Sequence, residues 1–136
     1  MNPRLLEEAK RWLREAGNDL HAADAMVAAN HMNWACFLAQ QAAEKAAKGF
    51  LYGQGVDDPW GHSVADLLRD AATYDASLAP LRVIGGLLDK FYIPTRYPNG
   101  LPGGLPSEAY SEAEARQAMS WAMDILKAVK SLTSTG

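Results

Sequence analysis

The side chains best suited to bind phosphate are an arginine and a tyrosine in a proline-bounded turn, Pro94-Thr95-Arg96-Tyr97-Pro98. A guanidinium is a planar fork that matches phosphate oxygens, and a phenol stacks on a base or donates a hydrogen bond. The prolines restrict the backbone, which holds such a pair at low entropic cost. Two interpretations are open: both side chains contact a ligand, or Arg96 pairs with a carboxylate while Tyr97 packs on the fold and anchors the loop.

Two lysines and a histidine could add to such a site. His62 directly precedes Ser63, which is placed to cap a helix, and a helix N-terminus attracts anions. The alternative is that His62 bonds a neighbouring backbone group and fixes the loop. Lys45 and Lys48 lie on a polar stripe of a predicted helix. Their spacing fits either a solvated face, with an ordinary Glu44–Lys48 surface pair, or a role in contacting phosphate.

Asp19 is the remaining polar candidate. It lies in the middle of a predicted helix, where aspartate is not favoured, so we expect it to pair across the fold with Lys45 or Arg96. A catalytic carboxylate is the alternative, but no second acid is placed to share the work. Catalytic residues are therefore left unassigned, and Asp19 joins Arg96, Tyr97, His62, Lys45 and Lys48 as candidates for a nucleotide or phosphate site.

Several classes of function are disfavoured by composition. One cysteine, Cys36, excludes a disulfide framework and is best interpreted as a small core residue. His21 and His31 lack a neighbouring acidic or Cys cluster, so no metal and no other cofactor is predicted. A net charge of −3 argues against a generic nucleic-acid coat. With no run of 18 apolar residues and no signal-peptide core in residues 1–8, we expect a cytoplasmic protein without a membrane span.

The elements that must position these residues are helices. The 136 residues include 24 Ala and 16 Leu but only 12 Val, Ile and Thr together, which favours helices over sheets. Apolar periodicity predicts a first helix that starts at Pro3, with Asn2 as its cap and an apolar stripe that runs to Val27, a second from about 34 to 52, and a fourth from 78 or 80 to 91. Capping boxes at Ser63–Asp66 and Ser111–Glu114 predict a short third helix to about residue 72 and a final helix with a fraying tail from Ser131. The four tryptophans fit core or dimer-interface positions better than a stacking platform.

Glycines and prolines mark the exceptions to helical structure. Gly17 in the first helix predicts close packing of another helix, and Gly85-Gly86 predicts a kink or break. Residues 30–33 are predicted to form a turn. Seven of the thirteen residues from Pro94 to Pro106 are Pro or Gly, so this segment is predicted to be an irregular and functional loop. The whole chain, 1–136, is expected to form one all-α domain, an antiparallel up-and-down bundle of three long and two short helices.

Three segments stand out when they are taken in order and at this spacing. They are Ala35-Cys36-Phe37-Leu38-Ala39-Gln40-Gln41-Ala42-Ala43-Glu44-Lys45-Ala46-Ala47-Lys48, Gly61-His62-Ser63-Val64-Ala65-Asp66-Leu67-Leu68, and Tyr92-Ile93-Pro94-Thr95-Arg96-Tyr97-Pro98-Asn99. Together they resemble the HEPN family of small helical domains. The resemblance implies a bundle of four to five helices, usually a homodimer. It also implies nucleotide binding and a separate minimal nucleotidyltransferase partner, as in toxin–antitoxin pairs.

Many branches of that family are metal-independent ribonucleases with an Arg, a polar residue and a His near the start of a late helix. This sequence departs from the signature, because no His follows Arg96 anywhere in the chain. Arg14 and His21 have the spacing but lie in the first helix. Three hypotheses follow: a HEPN-like partner of a nucleotidyltransferase that binds nucleotide or RNA phosphate, a ribonuclease combining Arg96 with His62, or a purely structural dimerisation module.

Overall fold

The computed structural model describes residues 2–133, which form five α-helices and no strand. The helices are α1 (Pro3–Ala28), α2 (Met32–Gly53), α3 (Val64–Ala72), α4 (Arg82–Asp89) and α5 (Glu112–Thr133), with short 3-10 segments at Ala76–Leu81, Pro98–Gly100 and Pro106–Glu108. The prediction of three long and two short helices is confirmed. Residues 131–133 are still helical, and the rest of the predicted fraying tail lies outside the described residues. None of the helices within 2–133 is long and apolar enough to cross a bilayer.

Side-chain caps begin the helices where the sequence predicts them. Asn2 Oδ1 accepts a hydrogen bond from the Arg4 backbone N–H at 2.8 Å, ahead of Pro3. At α5, Ser111 Oγ accepts from the Glu114 N–H and the Glu114 carboxylate accepts from the Ser111 N–H, at 3.1 and 3.0 Å. This reciprocal pair is the predicted capping box.

The start of α3 is capped from a distant part of the chain. Ser63 Oγ accepts from the Asp66 N–H at 3.1 Å, as predicted. The carboxylate of Asp89, at the end of α4, accepts from the next two backbone N–H groups, those of Val64 and Ala65, at 2.7 and 3.1 Å. This contact fixes α4 against the beginning of α3.

The core is organised around α2, which packs against α1, α5, α3 and α4. The sequence predicts one apolar face for this helix, but α2 is buried around most of its circumference: Ala35, Cys36, Ala39, Ala42, Ala43, Ala46, Ala47, Phe50 and Leu51 all belong to the core. Alanine side chains are small enough to let neighbouring helices approach on several sides. The turn into α2 ends sooner than predicted, because only Ala29–His31 separate it from α1 and Asn33 is helical.

Close helix contacts occur at different glycines from the one predicted. A Cβ on Gly17 would meet nothing within 4 Å, so the packing prediction there is wrong. The close approach is at Gly49, where a Cβ would lie 2.9 Å from Trp12 Cβ and 3.2 Å from the Ala9 carbonyl oxygen. Gly85 is similar: α4 runs through it without a break, and a Cβ would lie 3.1 Å from Val64 Cγ1. Gly85 therefore marks close packing rather than the predicted kink.

The tryptophans divide between partly buried and exposed positions. Trp12 stacks on Tyr52 with ring centroids 5.1 Å apart, and Trp121 packs against the core. Trp34 is 44% exposed and Trp60 is 86% exposed, so the prediction of a position in the core of this chain is wrong for these two side chains.

Candidate functional site

The turn that carries Arg96 is anchored by its neighbour Thr95, which is fully buried. Thr95 Oγ1 donates to the Phe91 carbonyl oxygen at 2.5 Å. The buried Asn33 side chain in the first turn of α2 donates to the Thr95 carbonyl oxygen at 3.0 Å. Satisfied buried hydrogen bonds of this kind fix a loop in one conformation. The anchor is therefore Thr95, not the predicted Tyr97, which is 50% exposed.

The guanidinium of Arg96 lies on aromatic rings rather than on a carboxylate. Its Cζ is 4.4 Å from the ring centroid of Phe37, 4.7 Å from that of Tyr92 and 5.1 Å from that of Tyr97. Its Nε donates to the Tyr92 carbonyl oxygen at 2.8 Å. No carboxylate of residues 2–133 forms an ion pair with it, so the alternative of a structural Arg96 ion pair is wrong for this part of the chain. The remaining guanidinium N–H groups have no anionic partner there.

Tyr92 brings Arg96 and His62 to the same place. The His62 ring stacks on Tyr92 with centroids 4.9 Å apart and planes 18° from parallel. The imidazole centroid and the guanidinium carbon are therefore no farther apart than the sum of their distances to the Tyr92 ring. The His62 side chain is 59% exposed. We call this surface the Tyr92 ledge, defined by Phe37, His62, Tyr92, Arg96 and Tyr97.

A nearly buried carboxylate, Glu44, lies beside the ledge. One of its oxygens is 3.3 Å from His62 Nδ1 and accepts a hydrogen bond from Gln41 Nε2 at 3.3 Å, while the other is 3.2 Å from Lys48 Nζ. The side chains of Glu44 and Lys48 are only 7% and 13% exposed, so the prediction of an ordinary surface pair is wrong. The carboxylate orients the imidazole and neutralises Lys48. His62 thus contacts Glu44, and its backbone carbonyl accepts from Gln40 Nε2 at 2.8 Å.

Lys45 and Asp19 face a different part of the molecule. Lys45 Nζ is 2.7 Å from Asp19 Oδ2 across the α1–α2 interface, which is one of the two predicted pairings of Asp19. Burial raises the pKa of the Asp19 carboxyl above its ordinary value, although Lys45 opposes that shift. Lys45 also lines an open cleft of about 600 Å³ along α1 that includes Trp12 and Arg14. Within residues 2–133, no hydrogen bond or ion pair joins Lys45 or Asp19 to the ledge.

The ledge could bind a phosphate at Arg96 and a planar base on its exposed aromatic rings, and the His62 imidazole contacts the same Tyr92 ring. Four of its members come from two predicted motifs, around His62 and Arg96. Glu44 and Phe37 were missed as functional residues. The sequence carries a signal for Glu44, because this charged residue lies between the alanine pairs 42–43 and 46–47, where a solvated side chain is out of place. Within residues 2–133 no three His, Cys, Asp or Glu side chains gather as a metal site.

Comparisons with known proteins give consistent results. The family model described as HEPN domain matches residues 9–132. The chain is similar to TT1696 from Thermus thermophilus, with 40% sequence identity, a TM-score of 0.85, and coverage of 91% of this chain and 97% of that one. It is also similar to ST0689, an archaeal HEPN homologue, with 36% identity, a TM-score of 0.77, and coverage of 93% and 98%. No curated protein matches the sequence.

Proposed function

Because the chain belongs to the HEPN domain family, we propose that it is a homodimeric partner of a separate minimal nucleotidyltransferase and binds a nucleotide or RNA phosphate at the Tyr92 ledge. The partner, the dimer and the toxin–antitoxin-like pairing come from the resemblance of the sequence to this family. The ligand site is argued from the geometry of the side chains.

One observation carries the ligand site: Arg96 is a fixed cation without an anionic partner among residues 2–133. Aromatic rings and the Tyr92 carbonyl hold the guanidinium in place, so little side-chain entropy is lost when an anion binds. Both lysines of the initial candidate set are already paired, Lys45 with Asp19 and Lys48 with Glu44. Arg96 is therefore the cation that we expect to meet a phosphate.

Exposed rings next to Arg96 support a nucleotide rather than a simple anion. Tyr97 is 50% exposed, and Trp34, whose ring lies 6.0 Å from that of Phe37, is 44% exposed. Stacking of a base on an aromatic side chain contributes about 1–3 kcal/mol. A phosphate on Arg96 and a base on a neighbouring ring would use both features of this surface.

Titration calorimetry with ATP and with a short single-stranded RNA tests the ligand site. Loss of a hydrogen bond to a charged group is worth about 1.5–3 kcal/mol, so Arg96→Gln should weaken binding by about 10-fold to 100-fold. Arg96→Lys should also bind more weakly, because an ammonium lacks the planar fork. Arg82→Gln, at the start of α4 and away from the ledge, is the matched control. Equal affinity of the Arg96 variants and the wild type would refute the site.

The partner and the homodimer need a separate experiment. A tagged chain co-expressed with the product of the adjacent gene should retain that protein through affinity purification and elute as a complex containing two copies of this chain. A chain that elutes alone under these conditions counts against the partnership, and a monomeric elution counts against the dimer. Neither result depends on the ligand measurement.

A metal-independent ribonuclease is the second candidate, and one observation favours it. His62 and Arg96 both contact Tyr92, and the Glu44 carboxylate lies 3.3 Å from His62 Nδ1. A carboxylate at Nδ1 leaves Nε2 as the nitrogen available for proton transfer. In such a reaction the 2′-oxygen attacks the adjacent phosphorus and the bond from phosphorus to the 5′-oxygen of the next nucleotide breaks, which leaves a 2′,3′-cyclic phosphate and a free 5′-hydroxyl. The imidazole would take the proton of the 2′-hydroxyl or give one to the leaving 5′-oxygen, and Arg96 would stabilise the charge on the phosphoryl oxygens.

The ribonuclease hypothesis predicts RNA cleavage that persists in excess chelator. His62→Ala and Arg96→Ala should each abolish it, while Asp19→Asn, on a different face, should not. Cleavage that is retained by both ledge variants would assign the activity to another site or to a contaminant.

A further inference from the structure

An open groove lies between the loop that follows α2 and the C-terminal end of α3. Its volume is about 400 Å³. The residues that line it include Asp58, Trp60, Asp70 and Tyr74. We call it the α3 groove. It shares no lining residue with the Tyr92 ledge, and neither the family resemblance nor the proposed function involves it.

Two large aromatic side chains of the α3 groove face solvent. Trp60 is 86% exposed and Tyr74 is 52% exposed. Burial of a large aromatic side chain stabilises a fold, and Trp60 makes almost none of that contribution in this conformation. Exposed tryptophan and tyrosine are enriched where proteins bind other molecules, since one side chain supplies a large contact area.

The charge of the groove is negative. Asp58 and Asp70 line it, and no Lys, Arg or His of residues 2–133 does so. Arg69 Nε lies 3.3 Å from Asp70 Oδ1, so Asp70 is paired, but Asp58 forms no ion pair with any of residues 2–133. Burial raises the pKa of the Tyr52 hydroxyl, and the charges of Asp58 and Glu8 raise it further.

We propose that the α3 groove is a docking surface for an arginine-containing segment of a partner protein. A guanidinium stacks on the face of an indole or phenol and pairs with a carboxylate through a bidentate fork. Trp60 and Tyr74 supply the rings and Asp58 supplies the carboxylate that has no partner in the described chain. This combination of aromatic faces and unpaired negative charge complements arginine more closely than any other side chain.

Nucleic acid does not fit this groove, because its phosphates would meet Asp58 and Asp70 without a lining cation. The Tyr92 ledge has the opposite character, with an unpaired cation among aromatic rings. The two surfaces are therefore suited to ligands of opposite charge.

Fluorescence anisotropy of a labelled, capped peptide with two arginines separated by two alanines tests the proposal with the full chain. Each of Trp60→Ala and Asp58→Asn should weaken binding by about three-fold or more at roughly 0.1 M salt. Leu105→Ala and Asp124→Asn, which alter an exposed apolar and an exposed acidic residue elsewhere, should bind like the wild type. All four positions are exposed, and circular dichroism verifies that each variant is folded.

Two further ligands separate a docking surface from simple charge attraction. A peptide with glutamate in place of arginine should not bind, and spermine, a flexible cation without a planar fork, should bind more weakly than the arginine peptide. Absence of peptide binding, equal affinity of the groove and control variants, or equal binding of spermine and peptide would each overturn the proposal.

Discussion

Replacing Gly49 with alanine should destabilise the protein, although the same change stabilises most helices. The new Cβ would lie 2.9 Å from Trp12 Cβ and 3.2 Å from the Ala9 carbonyl oxygen. Both atoms are fixed to the α1 backbone, so the helices must separate. Overpacking of this kind costs about 1–3 kcal/mol, while alanine returns about 1 kcal/mol of helix propensity. We therefore expect a net loss of about 1 kcal/mol in the free energy of unfolding.

Gly17→Ala is the matched control in the same pair of helices. It places an identical methyl group in the middle of α1, where it meets nothing within 4 Å. Only the propensity term remains, so this variant should gain about 0.5–1 kcal/mol. The two variants should therefore differ by about 2 kcal/mol.

Urea unfolding followed by circular dichroism measures this difference. The midpoint should fall for Gly49→Ala and rise for Gly17→Ala with an unchanged denaturant slope. A stabilisation of Gly49→Ala equal to that of Gly17→Ala would refute the close α1–α2 contact.

Three further predictions concern buried polar groups. Burial raises the pKa of the Cys36 thiol to about 12, so a thiol reagent at pH 8 should label it only in denaturant, and stoichiometric labelling of the folded chain would contradict this. The raised pKa of Asp19 means that its contribution to stability is present below pH 3.8 and lost as the pH rises through its folded pKa. The unfolding free energy of the wild type relative to Asp19→Asn should therefore fall as the pH rises to about 7, and a rise would contradict the shift. Asn33→Ala removes the donor to the Thr95 carbonyl, so it should lose about 1–3 kcal/mol and weaken nucleotide binding, whereas Asn99→Ala, exposed in the same loop, should do neither.

Periodicity and capping chemistry predict most of the fold. The start of α1 at Pro3, the end of α3 at Ala72 and the box at Ser111 all depend on contacts between residues near in sequence. What could not be predicted depends on distant contacts. Asp89 caps α3 from more than twenty residues away, and Gly49 and Gly85 matter because of the helix that each one meets.

The same distinction applies to the candidate site. Arg96 and His62 were identified by residue type and local setting, and the fold brings both to Tyr92. Lys45 has the same chemistry in sequence but faces Asp19 on α1, because one step along α2 from Glu44 rotates a side chain by about 100°. Helical periodicity gives the angle between successive side chains, but not which other part of the fold each face of the helix contacts.

The most direct test of the account is the nuclear magnetic resonance signal of the Arg96 Nε–H group during titration with ATP. We expect a saturable shift of this signal and of the Tyr97 ring protons, with the Nε–H signal of Arg82 unchanged. A titration in which Arg96 is unaffected while other arginines shift would contradict a phosphate site on the Tyr92 ledge.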